Sequence, residues 1–309
     1  MVKAVEIKNL SKSFRKVKAL NNVSFSIEEG DFFGYLGPNG AGKTTTIGCI
    51  TGLVNFDKGK INVFGKDVVR DYKETRQLIG LSQQEFVFDP FLSTIDALTY
   101  HGGYFGLNRR DAISKAEELL KFFDLSSRAG DSFRKLSGGM KRRVQIAKAL
   151  VHDPPILILD EPTSGTDLEL RHSIWKWLSK LNREGKTIIL TTHYIEEAEK
   201  LCGKIGIINK GEIAVLDKKE KLLADLSRQK ILFTLKSEAK RIPKINHSVY
   251  RKEKKELEVT CRNAQAELPK IMNLLNNAKI KVDDINIVSD KLEDVYLKVV
   301  GEKNAFNGI

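Results

Sequence analysis

The feature that most constrains this sequence is a glycine-rich run at residues 37–45, which reads Gly37-Pro38-Asn39-Gly40-Ala41-Gly42-Lys43-Thr44-Thr45. It fits the pattern GxxxxGK[ST] and lies between a predicted strand, Phe32–Leu36, and a predicted helix. Glycines in such a loop let backbone N–H groups close around phosphate oxygens, and the N-terminus of the following helix adds a favourable dipole. Lys43 would then reach the β- and γ-phosphates, and the Thr44 hydroxyl would ligate Mg²⁺. A glycine-rich turn that only caps a helix is the alternative, but the strand–loop–helix context favours a phosphate-binding P-loop.

An acidic pair follows a short apolar strand later in the chain. Ile156–Leu159 predicts a buried strand, and Asp160 and Glu161 come directly after it. Asp160 would hold Mg²⁺ directly or through water, and Glu161 is placed to polarise an attacking water. Such a strand end is common by itself, but downstream of a P-loop it indicates a nucleotide-hydrolysing site.

A serine and two glycines open another predicted helix. The segment Leu136-Ser137-Gly138-Gly139-Met140 precedes apolar residues at helical spacing, and Ser137 is a natural N-cap. Two adjacent glycines cost a helix about 1 kcal/mol each, so they are better explained by a ligand that approaches the backbone there. A second phosphate-facing helix N-terminus far from the P-loop is odd for a monomeric site. It suits a nucleotide held between two chains.

Residues 1–220 alternate predicted strands and helices, as in an α/β domain with a parallel sheet. The predicted strands include the alternating residues Val23, Phe25 and Ile27, the buried run Thr187–Thr192, and a closing hairpin of Ile205–Ile208 with Glu212–Val215. The predicted helices carry spaced apolar residues at Ile47, Ile50 and Leu53; at Ala112, Ala116, Leu119, Leu120 and Phe123; at Met140, Val144, Ala147 and Val151; and at Leu170, Ile174, Trp177, Leu178 and Leu181. Residues 94–150 have helical signals with no intervening strand, so we expect a helical insert there.

A polar, charged stretch around Lys218–Lys230 predicts a domain boundary, which gives domains at residues 1–220 and 221–309. The second is predicted to be a small α+β domain. Its expected strands are Ile231–Leu235, the alternating residues Leu257, Val259 and Cys261, and Ile285 with Ile287; its expected helices carry Leu268, Ile271, Leu274 and Leu275, then Leu292, Val295, Tyr296 and Val299.

Composition narrows the class of protein further. No apolar run approaches the roughly 18–20 residues of a membrane span, and the N-terminus lacks the apolar core of a signal peptide, so we expect a cytoplasmic protein. The three cysteines have no CxxC spacing and predict neither a disulfide framework nor a zinc site. The net charge of +12 favours anionic partners without choosing among nucleotide, lipid headgroup and nucleic acid.

The P-loop, the Leu-Ser-Gly-Gly signature and the Ile-Leu-Ile-Leu-Asp-Glu-Pro segment together resemble the nucleotide-binding subunit of an ATP-binding cassette (ABC) transporter, over about residues 3–218. The resemblance implies a P-loop NTPase core of ABC ATPase type, with an antiparallel β subdomain and the helical insert. It also implies that Phe14 stacks on adenine and that Asp167, in Ser164-Gly165-Thr166-Asp167, belongs to the D-loop. Gln84 resembles the glutamine that senses Mg²⁺ and γ-phosphate, and we prefer it to Gln83 because Glu85 follows it. His193 matches the switch histidine that contacts the γ-phosphate.

The same resemblance implies what the protein does and with what. It predicts an ATPase with ATP and Mg²⁺ as cofactors, in which Thr44, Gln84 and Asp160 face the metal and Glu161, His193 and Gln84 serve catalysis. Ser137, Gly138 and Gly139 of one chain would close over the nucleotide of another, in a homodimer or a pair with a related cassette.

The cassette would power a separate integral membrane permease, held peripherally on the cytoplasmic face of the membrane. The Leu-Ser-Gly-Gly-Met form and the extra C-terminal domain resemble an exporter-type branch, with Leu292-Glu293-Asp294-Val295-Tyr296-Leu297 as a looser match near the end. Two rivals remain: a soluble ABC ATPase that acts on nucleic acid or ribosomes, although no nucleic-acid partner is expected, and a nucleotide sensor without turnover. Glu161 argues against the sensor.

Residues 85–92, which follow Gln84 directly, contain five apolar side chains. They either pack into the helical insert or stay exposed as a docking groove for a permease helix. The exposed alternative predicts that Phe88→Asp and Phe91→Asp both leave the subunit folded.

Overall fold

A computed structural model describes residues 2–226, 229–239, 241–261, 263–289 and 292–305. The chain divides into two compact units, Met1–Lys219 and Glu220–Ile309. Within the part of the chain that is described, no helix is long and apolar enough to cross a membrane.

The first unit is an α/β structure with two sheets. Its strands are β1 (Lys3–Phe14), β2 (Val17–Glu28), β3 (Phe32–Leu36), β4 (Lys58–Val63), β5 (Lys66–Asp67), β6 (Ile79–Ser82), β7 (Ile156–Asp160), β8 (Thr187–Thr192), β9 (Lys204–Asn209) and β10 (Glu212–Lys218). Its helices are α1 (Lys43–Ile50), α2 (Tyr72–Gln77), α3 (Thr94–Tyr104), α4 (Arg109–Phe122), α5 (Gly138–Leu150), α6 (Leu168–Arg183) and α7 (Ile195–Leu201), and α8 (Lys219–Leu226) spans the division between the units.

The six-stranded central sheet has the order β10-β9-β3-β8-β7-β6. All its pairs are parallel except β9 with β10, which form a hairpin. Every residue of β3, β7 and β8 is buried, because a parallel sheet is covered on both faces. The short apolar runs in the sequence therefore predicted these strands correctly.

The second sheet is antiparallel, with the order β2-β1-β4-β5. Its buried face and the central sheet enclose one hydrophobic core. Phe25 of β2 lies with its ring centroid 5.4 Å from Phe33 and 5.4 Å from Tyr35 of β3, so aromatic rings join the two sheets.

Helices alone connect β6 to β7, as the helical pattern of residues 94–150 predicted. Ser93 caps α3 and Asn108 caps α4, each with its side chain accepting a backbone N–H from three residues on. The predicted face of α4 is buried from Ala112 to Leu120, and Phe123 is buried at its C-cap.

The second unit contains a four-stranded antiparallel sheet of order β12-β13-β11-β14. Its elements are β11 (Gln229–Leu235), β12 (Ser248–Arg251), β13 (Glu256–Cys261), α9 (Ala264–Asn277), β14 (Val282–Ser289) and α10 (Leu292–Ala305). Ile231, Phe233, Leu257, Ile271 and Leu275 are among the buried residues of its own small core.

Three details differ from the sequence patterns. Helix α1 ends at Ile50, so Leu53 lies beyond it and is 60% exposed. Trp175 is buried on α6 whereas Trp177 is only half-buried, and the Trp175 indole donates a hydrogen bond to Glu197 of α7. Leu274 is 42% exposed on α9, although the helical spacing predicts it in the core.

Candidate functional site

The register of the central sheet brings the chemical motifs together. Leu36 pairs with Thr192, and Asp160 pairs with Thr191, so the residues that follow β3, β7 and β8 lie side by side. Strand β6 flanks β7, which places Gln84 at the same edge. Ligand sites of open α/β sheets lie at these carboxyl ends.

A cavity of about 660 Å³ opens at this edge. The residues that line it are Val17, Lys18, Ala19, Asn39, Gly40, Gly42, Lys43, Thr44, Thr45, Gln84, Glu161, Ser164, His193 and Lys210. Much of the P-loop and three predicted catalytic side chains therefore share one cavity.

The P-loop glycines are required by close packing. A Cβ on Gly37 would lie 2.4 Å from the carbonyl oxygen of Ile208, and one on Gly42 would lie 2.8 Å from that of Ala19. Gly42 also has φ of 112°, a conformation that favours glycine. The loop thus passes directly against β9 and β2, and its backbone faces the cavity.

Lys43 is buried and turns back on its own loop. Its Nζ donates to the carbonyl oxygens of Gly37 at 2.7 Å and Pro38 at 3.2 Å, and it lies 3.9 Å from Glu161 Oε1. Burial lowers the pKa of Lys43, and the nearby carboxylates of Glu161 and Asp160 oppose that shift. The ammonium is therefore held at the cavity wall by neutral carbonyls, which an anionic ligand could replace.

Thr44 and Asp160 lie next to each other, as the metal-site prediction requires. The Thr44 hydroxyl donates to Asp160 Oδ2 at 3.0 Å, and the buried Thr191 hydroxyl donates to Asp160 Oδ1. A hydroxyl and a carboxylate are oxygen donors that suit Mg²⁺. Among the described residues no group of three or more His, Cys, Asp and Glu side chains could hold a metal ion.

Glu161 is the residue on which the other polar groups converge. His193 Nδ1 lies 3.1 Å from Glu161 Oε2, and Gln84 Nε2 donates to the same oxygen at 3.3 Å. Glu161 is buried and has φ of 50°, which is unusual for a residue other than glycine. The backbone N–H of Glu161 donates to the Thr191 carbonyl at 3.0 Å, which fixes this strained turn.

The structure also places the Gln83–Gln84 pair. The side chain of Gln84 lines the cavity and reaches Glu161, whereas the backbone oxygen of Gln83 accepts from Gln145 of α5 at 2.8 Å. The geometry of the loop therefore favours Gln84 as the cavity-facing glutamine.

Eight predicted nucleotide contacts are not among the residues that line this cavity. Three belong to the P-loop itself, Gly37, Pro38 and Ala41, and five come from elsewhere in the chain: Phe14, Ser137, Gly138, Gly139 and Asp167. Ser137 Oγ accepts from the N–H of Met140 at 3.3 Å and caps α5, and Asp167 Oδ1 accepts from the N–H of Leu170 at 2.8 Å and caps α6. Phe14 is 47% exposed at the end of β1, where it pairs with Val17, a residue that does line the cavity. Phe14, Ser137 and Asp167 are therefore exposed to solvent, but they do not line the cavity of their own chain.

Sequence reasoning missed Lys18 and Lys210 as lining residues. The β9–β10 turn carries Lys210 to the cavity because Gly211 N donates to Ala41 O at 2.9 Å and Gly211 O accepts from Asn21 N at 2.8 Å. The sequence predicted this turn, but its position beside the P-loop depends on tertiary contacts, which include the pairing of β9 with β3.

Glu197, at the start of α7, is a second missed residue. It is fully buried, and its carboxylate accepts from Trp175 Nε1 at 3.0 Å and from the Thr163 hydroxyl at 3.2 Å. Burial raises the pKa of Glu197, and hydrogen bonds from Thr192, Trp175 and Thr163 oppose that shift. Through Thr163 and Thr192, Glu197 connects the turn after Glu161 with the end of β8, directly before His193.

The sequence and the fold of this chain both resemble those of known proteins. The profile of the family described as ABC transporter matches residues 20–164. The linearmycin resistance ATP-binding protein LnrL of Bacillus subtilis is 41% identical over 228 residues, which are 74% of this chain and 73% of that protein. The Nod factor export ATP-binding protein I of Burkholderia lata is 41% identical over 210 residues, 68% of this chain and 69% of that protein.

Solved structures also resemble this chain over much of its length. A dimeric ATP-binding cassette in a post-hydrolysis state, bound to ADP and Pi, has a TM-score of 0.65 at 30% identity and covers 69% of this chain and 98% of its own. An ATP-binding subunit of an ABC transporter has a TM-score of 0.66 at 27% identity and covers 71% of this chain and 91% of its own.

Proposed function

The chain belongs to the family of ABC transporter ATP-binding proteins, and from this premise we propose that two copies close around two MgATP molecules and power export through a separate membrane permease. Its ATP-binding and ATPase character follows from the family. The split dimeric site, the metal, the permease and the direction of transport are the proposal.

One observation carries the split site. Lys43, Thr44, Gln84, Glu161 and His193 line one cavity, whereas the signature residues 137–139 lie at an accessible helix N-terminus outside it. A helix N-terminus favours anionic ligands through its free N–H groups and its dipole. Because Ser137 and Gly138 are exposed in the single chain, they are available to the phosphates of another chain.

The chemistry follows from the side chains at the cavity. Lys43 exchanges the carbonyls of Gly37 and Pro38 for phosphate oxygens, which stabilises the charge that accumulates during phosphoryl transfer. Glu161 accepts a proton from the attacking water, and His193 and Gln84 hold its carboxylate in place.

Thr44, Asp160 and Gln84 would hold Mg²⁺. A cation held there would supply positive charge to neutralise the phosphate oxygens. Phe14 would stack on the adenine, and Asp167 would contribute from the D-loop at the closed dimer interface.

The permease contact is proposed for residues 85–92. Phe86 is 43% exposed, Val87 57% and Phe91 79%, which gives an apolar surface beside Gln84. Two relatives are named for linearmycin resistance and for Nod factor export, which supports an exporter. The cassette would then work at the cytoplasmic face of the membrane, with residues 221–309 as an accessory domain.

Glu161→Gln tests the hydrolytic site. The amide keeps the shape of Glu161 but cannot accept the water's proton, so turnover should nearly cease while MgATP binding persists. The chain should then accumulate as an ATP-dependent dimer in sizing chromatography. Wild-type turnover in this variant would remove Glu161 from the catalytic role.

A mixing experiment tests the split site. Lys43→Ala should lose nucleotide binding, and Ser137→Arg should bind ATP but fail to close. In a mixed dimer of these two variants, one site carries both lesions and the other carries none, so activity should partly return. No recovery at any ratio, with heterodimers detected by differential tags, would contradict a site shared between chains.

A further inference from the structure

Three side chains of the signature helix α5 hold the backbone of the glutamine loop, residues 83–87. Gln145 Nε2 donates to the carbonyl oxygens of Gln83 at 2.8 Å and Glu85 at 2.6 Å. Arg142 Nη1 donates to those of Gln83 at 3.3 Å and Gln84 at 3.2 Å, and Lys148 Nζ donates to that of Val87 at 2.9 Å. The three donors are spaced by three residues, so one stripe of the helix faces the loop.

The side chains of Arg142 and Gln145 that bind the loop are buried, and they are also hydrogen-bonded to each other. Arg142 and Gln145 are each 5% exposed, and Arg142 Nη1 also donates to Gln145 Oε1 at 3.1 Å. The guanidinium lies 5.0 Å from the centroid of the Phe86 ring. Consecutive carbonyls of an otherwise irregular loop thus take their hydrogen bonds from a single rigid helix.

Gln84 belongs to both the cavity and the helix. Its side chain reaches Glu161, while its backbone oxygen is held by Arg142. Any displacement of the Gln84 backbone when its side chain changes partner is therefore passed to α5.

The other end of α5 is fixed against β6. A Cβ on Gly80 would lie 1.9 Å from the carbonyl oxygen of Ala149, so helix and strand touch through their backbones there. At 1.5 Å per residue, the Arg142–Gln145 attachment lies about 8 Å from this contact and Ser137 about 18 Å from it. A shift of about 1 Å at the loop becomes about 2 Å at Ser137 if the helix turns about its fixed end.

We propose that Arg142 and Gln145 are positioning residues that transmit the nucleotide state of the chain's own cavity to the signature it presents to a second chain. The inference rests on the proposed split site. It assigns these side chains a role in communication between sites and none in contact with nucleotide.

Amide hydrogen exchange on a monomeric chain tests this transmission without a contribution from the dimer contact. Ser137→Arg should keep the chain monomeric in MgATP, so a nucleotide response of residues 138–141 must then arrive through the chain itself. We expect MgATP to change exchange at both 83–87 and 138–141 in this background. Adding Gln145→Leu should preserve the response of 83–87 and reduce that of 138–141 at least about fivefold, the effect of about one hydrogen bond.

Arg143→Leu is the matched control. Arg143 is the next residue after Arg142, but its Nη1 donates to the carbonyl oxygen of Phe123 at 3.1 Å, away from the glutamine loop. It should leave the response of 138–141 intact. Gln145→Glu keeps the acceptor for Arg142 and removes both donated bonds, and it replaces Gln145→Leu if that variant is unstable.

In an otherwise wild-type chain, Gln145→Glu should lower kcat and move the Hill coefficient for ATP towards 1, while KM changes little. The proposal would be overturned if Gln145→Leu left the exchange response of residues 138–141 unchanged in the Ser137→Arg background, or if the Ser137→Arg chain itself showed no response. A lower affinity of the monomer for ATP after Gln145→Leu would also overturn it, because the contacts would then only maintain the cavity. If sizing finds an MgATP dimer with Ser137→Arg, the split site itself is wrong and the transmission falls with it.

Discussion

Phe88 and Phe91 have the same residue type and lie three positions apart, yet the structure gives them opposite environments. Phe91 is 79% exposed. The Phe88 ring stacks on Phe133 with centroids 4.1 Å apart and an interplanar angle of 16°, and Lys148 Nζ lies 4.6 Å from the same ring. From the sequence, the exposed alternative predicted that aspartate at either position leaves the subunit folded and the packed alternative predicted early melting, and the structure now separates the two positions.

The cost of Phe88→Asp can be worked from these contacts. Loss of the aromatic pair removes about 1 kcal/mol, and exposing the half-buried part of the ring removes about 1–2 kcal/mol more. A decrease of about 2–3 kcal/mol in the free energy of unfolding lowers the Tm of a unit this size by about 4–12 °C. Phe91→Asp should stay within about 0.5 kcal/mol of the parent, because an exposed ring loses little.

Thermal unfolding and permease co-purification on the same proteins provide the assay. Phe91→Asp should melt like the parent and lose the permease, whereas Phe88→Asp should melt early. Phe88→Leu is the control, since it keeps apolar volume and loses only the stacking, about 1 kcal/mol.

The reasoning is refuted if the two aspartate variants melt together. If Phe91→Asp is stable and still co-purifies with the permease, Phe91 does not contribute to docking.

The remaining predictions concern buried polar groups. Burial lowers the pKa of His101 and of His152 to about 4, so their neutral forms are favoured on folding, and the free energy of unfolding should fall as pH decreases from about 6.5 to about 4. His152→Gln should make that pH dependence shallower in urea denaturation at stepped pH. Glu197→Leu leaves the buried donors of Trp175 and Thr163 without an acceptor, which should lower the free energy of unfolding by about 2–5 kcal/mol and shift the tryptophan emission. Glu197→Gln keeps an acceptor oxygen and should recover part of that loss. An emission spectrum unchanged in both variants would contradict the contact between Glu197 and Trp175.

The sequence predicted the central strands because burial on both faces leaves a local signal, an uninterrupted apolar run such as Ile156–Leu159. It could not predict the strand order, which depends on pairing between distant segments. That order puts β3 between β8 and β9, and so decides that His193 and Lys210 meet the P-loop from opposite sides.

Two features that the sequence patterns missed, strand β12 and the burial of Trp175, have weak local signals for identifiable reasons. Strand β12, Ser248–Arg251, is short and at the sheet edge, with only Tyr250 turned towards the core. Trp175 breaks the apolar spacing of α6 because its burial depends on Glu197, a residue of another helix. In both cases a tertiary partner supplies what the local sequence lacks.

Gly138 and Gly139 are adjacent in the sequence, but they have different surroundings in the structure. Both glycines were attributed to a ligand near the backbone, but a Cβ on Gly139 would lie 2.6 Å from Leu170 Cδ2, so packing within the chain already disfavours a side chain there. A Cβ on Gly138 would meet nothing within 4 Å, so packing against the described residues does not require glycine there.

Gly138→Ala should therefore stabilise the isolated chain by up to about 1 kcal/mol, because alanine favours the helix, and yet weaken the ATP-dependent dimer. Gly139→Ala serves as the comparison, since its cost should be seen in the melting temperature of the monomer as Leu170 is displaced. Chemical denaturation of the monomer and sizing of Glu161→Gln chains that carry each substitution measure the two effects separately. If Gly138→Ala chains dimerise in MgATP as tightly as the parent, no nucleotide of a second chain lies against the start of α5.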